Sequence, residues 1–285
     1  MKEWIVGQSG ELFCFGQMPV WKAENLPEVL LSGYSSEGGE WVCLNVLQGD
    51  VEVRTQDGAA EVWSAESGDC VFAPQQVFSV KPKTDDAEIR LSMYCVAEDY
   101  FHKKYGMSAT HSAVAAAQDI VPAGRALDMG CGQGRNALFL GLKGFEVTAV
   151  DHNPAALANV AELAEAEGLN VRTLEYDLNA AALQGELATV VLMFLMPQRV
   201  PDVIADMQAH TAAGGYNLIV SAMDTADFPC PMPFPFKFKE GELKDYYRDW
   251  ELVEYKEELG AMHAKDENGN PIRFKFVTML AKRPE

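Results

Sequence analysis

The sequence predicts an α/β fold in which a Rossmann-like, mostly parallel sheet finishes in an antiparallel hairpin and is preceded by a small all-β sandwich. Beyond residue 97, segments with strand and helix periodicity alternate, which is typical of a parallel sheet with helices on both faces. Near the C-terminus, the turn sequence DENGN separates two strand-like segments and predicts the hairpin. We therefore divide the chain into a β domain, residues 1–97, and an α/β domain, residues 98–285.

The β domain is predicted from four short segments with strand composition: EWVCLNVL, VEVRTQ, GDCVFAP and EIRLSMYCV. They are separated by the turn sequences QGD, QDG and PKTDD. Short strands at such regular intervals indicate an antiparallel sandwich or barrel.

The α/β domain begins with a predicted helix, THSAVAAAQDI, for which Thr110 or Ser112 is available as the N-cap. A later helix, RVPDVIADMQAHTAA, is predicted to be closed by Gly214 and Gly215. The other predicted elements are, in order, strand RALDM, helix RNALFLGL, strand FEVTAVD, helix PAALANVAELAEAE, strands NVRTLEYD, LATVVLMF and YNLIVSAM, and the hairpin strands WELVEYKEEL and PIRFKFVTMLAK.

Composition and charge favour a soluble enzyme or binding protein of the cytoplasm. The net charge of −19 repels phosphate and argues against a nucleic-acid partner, so a small-molecule substrate is expected. The longest apolar run, ATVVLMFLM, is too short to cross a bilayer, and the first residues lack a secretory pattern. Six scattered cysteines without a C-x-x-C pair indicate a reducing compartment, with neither a disulfide framework nor a zinc site.

The segment ALDMGCGQGRNALFL carries the main functional signal. It places Gly130, Gly132 and Gly134 between a predicted strand and a predicted helix, where free backbone N–H groups attract an anion. The spacing is G-x-G-x-G rather than the dinucleotide pattern G-x-G-x-x-G. Asp128, just before the loop, repels a pyrophosphate but attracts an ammonium group. A ligand with both a carboxylate and an ammonium, such as S-adenosyl-L-methionine, satisfies both features.

Two further acids follow later predicted strands. Asp151 lies 19 residues after Gly132, at the spacing that allows hydrogen bonds from ribose hydroxyls. Asp177 is predicted to end the third strand and to hold the adenine amino group, with Leu178 beside the ring, although a turn or helix-cap role for this aspartate stays open. An NAD-type cofactor, or a tight turn that binds nothing, are the alternatives for the whole loop.

The remaining cofactor candidates have weaker signals. Arg135 follows the glycines at the start of a helix and could contact a carboxylate or form an exposed ion pair. His111 could meet the methionine carboxylate or only begin a helix. His152, beside Asp151, and Tyr105 complete the predicted cofactor-binding set.

These residues resemble the class I methyltransferases. More narrowly, the chain is similar to the tellurite-resistance methyltransferases of the TehB family, through motifs that span most of residues 98–285. The segments that carry the resemblance are LDMGCGQGRNALFL, DHNPAAL, TVVLMFL, GGYNLIVSAMDTADFPCP, FKEGELKDYYRDWE and DENGNPIRFKFVTMLAK. The resemblance of residues 1–97 is to the family's cupin-like N-terminal domain.

The resemblance implies S-adenosylmethionine-dependent methyl transfer to a small soft oxyanion, tellurite or selenite, as a resistance function. The lone pair on the acceptor makes a general base unnecessary, so the site must mainly bind an anion. His263, Lys265 and Arg273 are the predicted anion-positioning residues. Where the family has basic residues, this chain has Ala264 and Pro271, and the segment before the fourth strand is short.

Two other functions stay open. A methyltransferase for a thiol or another small metabolite belongs to the same class. A regulatory protein that binds S-adenosylmethionine and uses the β domain for sensing or dimerisation belongs to a different one. The β domain contains no histidine, since the first in the chain is His102, which excludes a His-ligated cupin metal site. A homodimer through this domain is an expectation.

Overall fold

The computed structural model describes residues 4–7, 10–180, 188–194, 198–265 and 267–285, with side chains for all of these except 4–7, 10, 193 and 262–265. The chain divides into two compact units, Met1–Ala109 and Thr110–Glu285. The periodicity of the sequence changes at residue 97, so the first unit also includes the segment that follows this change.

The first unit consists of two antiparallel sheets. Its helices are α1 (Glu28–Ser32) and α2 (Tyr100–Tyr105), and its strands are β1 (Trp4–Gly7), β2 (Gly10–Gln17), β3 (Trp21–Lys22), β4 (Trp41–Gln48), β5 (Asp50–Thr55), β6 (Ala60–Ser64), β7 (Cys70–Phe72), β8 (Phe78–Pro82) and β9 (Glu88–Cys95). One sheet has the order β1-β2-β9-β4-β7, with β3 also paired to β9, and the other has the order β6-β5-β8.

The core of this unit lies between the two sheets. Alternate residues of β4, such as Leu44, pack in one cluster with Val51 and Val53 of β5 and Phe78 of β8. Because side chains alternate across a strand, each sheet presents one apolar face to this core. The other face of the larger sheet is partly covered by a second small cluster that contains Leu12, Cys43 and Tyr94. The all-β sandwich predicted from the sequence is confirmed.

The second unit is a seven-stranded mixed sheet with flanking helices. Its helices are α3 (Ser112–Gln118), α4 (Arg135–Leu142), α5 (Pro154–Ala166), α6 (Val200–Ala209) and α7 (Glu242–Tyr246), and its strands are β10 (Arg125–Met129), β11 (Glu146–Asp151), β12 (Val171–Glu175), β13 (Ala188–Phe194), β14 (Thr211–Ala222), β15 (Glu251–Lys265) and β16 (Pro271–Lys282).

The strand order of the second unit is β12-β11-β10-β13-β14-β16-β15. Strands β10 to β14 pair in parallel, whereas β16 is antiparallel to both β14 and β15. The predicted parallel sheet with a terminal hairpin is confirmed. The chain order reverses between β10 and β13, and in such a sheet ligands bind at the carboxyl ends of the strands beside this reversal.

Apolar packing on one face fixes the position of these strand ends. Val191 and Ile219, on neighbouring central strands, belong to one buried cluster with Val203 and Met207 of α6. Parallel strands covered on both faces contain nearly continuous apolar runs, which is why VVLM and NLIV read as strands in the sequence.

Three details differ from the sequence predictions. The N-cap of α3 is His111, not Thr110 or Ser112, because the His111 side chain accepts the backbone N–H of Ala113. Helix α6 ends at Ala209, well before the glycine pair, because Thr211 already pairs with Ala188 as the first residue of β14.

The third difference is that β12 ends at Glu175, so Asp177 lies two residues beyond the strand. The short segment before the fourth strand of the α/β domain leaves that strand long enough to function: β13 spans seven residues and pairs with β10 as far as Met129.

Across the described parts of the chain, no helix combines the length and apolar character that a membrane crossing requires. Among the same residues, no three His, Cys, Asp or Glu side chains are grouped so that they could hold a metal ion.

Candidate cofactor-binding site

The glycine loop connects β10 to α4 at the carboxyl edge of the sheet. Gly130, Gly132 and Gly134 have φ values of +77°, +54° and +86°, which are readily adopted only by glycine. A Cβ atom built on Gly130 or Gly132 would meet nothing within 4 Å, so the loop borders open space there. A Cβ on Gly134 would lie 2.5 Å from Val160, so this glycine allows α4 to approach α5.

Asp128 lies directly before the loop and is 1% exposed. The backbone N–H of Ala137 donates to its carboxylate, while Oδ2 has no hydrogen-bond partner among the described residues. Burial raises the pKa of Asp128 to about 7, an effect that the Ala137 N–H and the Arg135 guanidinium oppose. The site thus contains a buried carboxylate for which burial favours the neutral form over the ionised form.

The first turn of α4 contributes two polar side chains. Arg135 is half-buried, and burial lowers the pKa of its guanidinium while Asp128 opposes this shift. Asn136 is 5% exposed, and its Oδ1 accepts the backbone N–H of His111 at 3.1 Å. Asn136 therefore joins the start of α4 to the start of α3. Asn136 is not among the residues predicted from the sequence, although a single polar position inside the apolar helix RNALFLGL was a signal for it.

His111 lies at the N-terminus of α3 and faces the end of β13. Its Nδ1 accepts the Ala113 N–H at 3.2 Å, so a neutral ring in this position carries its proton on Nε2. The ring centroid lies 4.8 Å from that of Phe194, the last residue of β13. The structure thus brings His111 to the same sheet edge as the glycine loop.

Asp151 ends β11 and supports the loop. Its Oδ2 accepts the Gly132 N–H, and its Oδ1 accepts the Asn153 N–H, each at 2.9 Å. The neighbouring His152 is exposed, with Nδ1 3.3 Å from Asp151 Oδ1. Since each carboxylate oxygen can accept a second hydrogen bond, Asp151 keeps capacity for ligand hydroxyls.

Asp177 follows β12 in an exposed turn. Its Oδ1 accepts the Asn179 N–H at 2.8 Å, which is the turn role left open from the sequence. The preceding residue, Tyr176, donates its backbone N–H to the Asp151 carbonyl, so the turn begins beside the end of β11. Leu178 packs against the main core of this unit, and its carbonyl accepts a hydrogen bond from Arg199.

Tyr105 belongs to the first unit, at the end of α2. Its ring stacks on that of Phe101, with centroids 6.1 Å apart, and Lys104 Nζ lies 5.5 Å from its centroid. Its assignment to the cofactor stays a prediction.

The predicted anion-positioning residues lie on the β15–β16 hairpin. Arg273 is exposed and pairs in register with Ala261. The backbones of His263 and Lys265 belong to β15, where Lys265 pairs with Pro271, but both side chains lie outside the described residues. The ladder between β14 and β16 ends at Ala222, so this part of the hairpin extends past the carboxyl end of β14.

The described residues fit S-adenosylmethionine. The unpartnered Oδ2 of Asp128 is an acceptor for an ammonium group, the glycine loop leaves room for close backbone approach, and Asp151 ends the next strand. A pyrophosphate at the same place would meet the Asp128 carboxylate, which argues against a dinucleotide.

This strand order, with a glycine loop after the first strand of the sheet and an acid at the end of the second, defines a class I S-adenosylmethionine-dependent methyltransferase. Residues 93–280 match the family described as "Tellurite resistance protein TehB", and residues 16–91 match the "TehB-like domain". The chain belongs to the TehB family. The predicted enzyme class and the predicted cofactor are thereby confirmed.

Individual relatives match between about four fifths and nearly all of the chain. A Haemophilus influenzae protein, "Probable S-adenosyl-L-methionine-dependent methyltransferase TehB", is 47% identical over 282 residues, which are 96% of this chain and 99% of the relative. An Eikenella corrodens protein named "Hemagglutinin 1" is 55% identical over 230 residues, 79% of this chain and 77% of the relative. The crystal structure of TehB from Haemophilus influenzae matches with a TM-score of 0.88 and 44% identity, over 95% of this chain and 98% of that one.

Proposed function

We propose that this enzyme methylates a small soft oxyanion, tellurite or selenite, as a resistance function in the cytoplasm. The family description supports the tellurium chemistry. The observation that carries the proposal is the hairpin, which extends past the carboxyl end of β14 and bears exposed Arg273 together with the backbones of His263 and Lys265.

The cofactor is proposed to be held by residues that converge at the carboxyl edge. Asp128 would accept the ammonium group, and the N–H groups of the glycine loop and Arg135 would face the carboxylate. Asp151 would accept ribose hydroxyls, with His152 beside it, and Asp177 and Leu178 would border the adenine. His111, whose capping bond assigns the proton to Nε2, would donate to the cofactor carboxylate.

The bound cofactor would supply a methyl group on a positively charged sulfur, whose bonding electron pair stays with sulfur when the acceptor's lone pair forms the new bond to carbon. No proton has to move, because tellurite already carries the lone pair. The protein would therefore act by positioning and by charge: Arg273, His263 and Lys265 would hold the oxyanion in line, in a site from which water is excluded.

The test is turnover of purified protein with labelled S-adenosylmethionine and tellurite, followed by formation of S-adenosylhomocysteine. We expect product only when tellurite or selenite is present, and a KM raised about tenfold in Arg273→Ala, which removes one anion contact. Arg125→Ala is the matched control, since Arg125 is an exposed arginine at the amino end of β10, opposite the glycine loop. Tight cofactor binding without turnover on any acceptor, oxyanion, thiol or other small metabolite, would instead favour the regulatory function.

The domain of residues 1–97 is proposed to be a metal-free, cupin-like module that forms a homodimer. Its two antiparallel sheets support the sandwich architecture, and it contains no histidine. Light scattering on the full chain is expected to give twice the mass of one chain, and a monomeric mass across micromolar concentrations would reject this assembly.

A further inference from the structure

A cavity lies within the α/β unit, and one residue of the proposed cofactor set, His111, belongs to its lining. It has a volume of about 390 Å³ and lies between α3 and strands β14, β15 and β16. Its sheet side includes Val220, Thr278 and Phe276, and Ala113 and Ala116 of α3 form the opposite side. The volume falls in the range of sites for small organic molecules, about 300–1,000 Å³.

The floor of this cavity is aromatic because of a glycine on the neighbouring strand. A Cβ on Gly260 would lie 2.8 Å from the Phe276 ring, so one edge of the ring packs closely against β15 at this position. Phe274 supports the same ring, with centroids 4.2 Å apart. The absence of a side chain at Gly260 thus makes room for the Phe276 ring, which belongs to the cavity lining.

The part of the sheet side that β15 forms carries a net negative charge. Lys256 forms an ion pair with Glu254, so its charge is matched, and Glu258 adds a carboxylate on the same strand. This part of the lining repels an oxyanion. A three-oxygen anion also fills only about the volume of three waters, roughly 90 Å³, which is a small part of the cavity. Tellurite therefore does not account for this site.

His111 connects the cavity to the cofactor site. It lines the cavity, and its ring also contacts Phe194 at the end of β13. Asn136, in the first turn after the glycine loop, holds its backbone N–H. The cavity therefore meets the catalytic edge of the sheet at one residue.

We propose that this cavity binds a second class of methyl acceptor: a neutral heteroaromatic base whose ring nitrogen carries the nucleophilic lone pair. The nitrogen lone pair forms the N–C bond, and the pair of the broken C–S bond stays with sulfur. No proton is released. Positive charge moves from sulfur to the ring nitrogen, where the Glu258 carboxylate and the Phe276 ring stabilise it.

The test begins with binding, because charge and shape can be varied separately. Calorimetry on the full chain with S-adenosylhomocysteine present compares isoquinoline, its product N-methylisoquinolinium, and 1-naphthoate. We expect the cation to bind about threefold to tenfold more tightly than isoquinoline, and the anion to bind more weakly than both. Formation of N-methylisoquinolinium from isoquinoline and S-adenosylmethionine, measured by mass spectrometry, is the second readout.

Variants separate the contribution of the Glu258 charge to ligand affinity from that of the Phe276 ring. Glu258→Gln should lower the affinity for the cation about threefold and leave that for neutral isoquinoline unchanged. Gly260→Ala, which pushes the Phe276 ring into the cavity, should weaken both about tenfold. Leu259→Ala is the control, because Leu259 is an exposed neighbour outside the cavity lining. Phe276→Leu gives the same comparison if the Gly260 variant is unstable.

The proposal fails if the cation binds no more tightly than isoquinoline, or if Gly260→Ala and Phe276→Leu leave both affinities unchanged. It also fails if no methylated product forms while the cofactor binds. The inference rests on the methyltransferase class and not on tellurite, so a negative result with tellurite leaves it standing.

Discussion

The backbone N–H of Gly132 donates a 2.9 Å hydrogen bond to Oδ2 of Asp151, which joins the middle of the glycine loop to the end of the neighbouring strand. Oδ1 of the same carboxylate accepts the N–H of Asn153, the N-cap of α5. Asp151 therefore orders the two loops that border the cofactor site, in addition to its proposed contact with the ribose.

Replacing Asp151 should affect stability as well as cofactor affinity. Asp151→Ala leaves the N–H groups of Gly132 and Asn153 without their acceptor, which we expect to lower the free energy of unfolding by about 1–3 kcal/mol. Asp151→Asn retains one acceptor oxygen and should lose less. Both should weaken S-adenosylhomocysteine binding at least tenfold by calorimetry, and unchanged affinity in Asp151→Ala would reject the ribose contact.

Cofactor affinity should depend on pH through Asp128. Burial raises the pKa of this carboxyl to about 7, and an ammonium beside the carboxylate would favour the ionised form. Affinity should therefore be full above pH 7 and fall by at most about tenfold per pH unit below it. Calorimetry in buffers of different ionisation enthalpy should show release of a proton near pH 7, and Asp128→Asn should show none from this group.

The stability of the cofactor-free protein should show the opposite dependence. The folded protein holds the Asp128 proton up to about pH 7, whereas the unfolded chain loses it near pH 3.9. This contribution to stability is present at low pH and is lost as pH rises from about 4 to about 7. Urea unfolding should show the difference between wild type and Asp128→Asn changing across this window, and a constant difference would contradict the raised pKa.

Gly134→Ala should destabilise the fold through two separable effects. The backbone has a φ of +86°, which strains any other residue, and the new Cβ would lie 2.5 Å from buried Val160. We expect a loss of about 2–4 kcal/mol in unfolding free energy. Gly144 has a φ of +88° and open space around its Cα, so Gly144→Ala measures the backbone strain alone. The double variant Gly134→Ala/Val160→Ala should lose less unfolding free energy than the two single variants lose together, because the shortened side chain makes room for the new Cβ. Strict additivity would argue against the contact.

Two variants of His111 should distinguish its helix-capping role from its proposed contact with the cofactor. Asparagine caps helices well, so His111→Asn should leave unfolding unchanged within about 0.5 kcal/mol, while His111→Ala should lose about 1 kcal/mol. Both variants remove the imidazole and should weaken S-adenosylhomocysteine binding to a similar extent. If only His111→Ala binds more weakly, the residue acts through the helix start alone.

Much of the site was predictable because it depends on local sequence. The strand RALDM, the three glycines and Asp151 follow from composition and spacing, and the structure places them together at the carboxyl edge of the sheet. Asn136 was not predictable as the partner of His111, since 25 residues separate them and only the packing of α3 beside α4 brings them together.

The cavity beside α3 was also not predictable from the sequence, because residues far apart in the chain form it. Gly260 and Phe276 lie on separate strands, and only the register of β15 against β16 sets the ring against the glycine. The cap of α3 was misassigned because Thr110 and Ser112 have better intrinsic capping preference than His111, and the hydrogen bond that decided the cap depends on the backbone geometry of the turn.

The sequence alone determined the class of fold, the order of its elements and the chemistry of the cofactor loop, because hydrophobic periodicity and glycine spacing act over short stretches of chain. The tertiary structure decided which charges are buried and which side chains meet. Asp128 acquires its raised pKa, and Phe276 its position against Gly260, only when distant segments exclude water and come into contact, and these are long-range effects of packing.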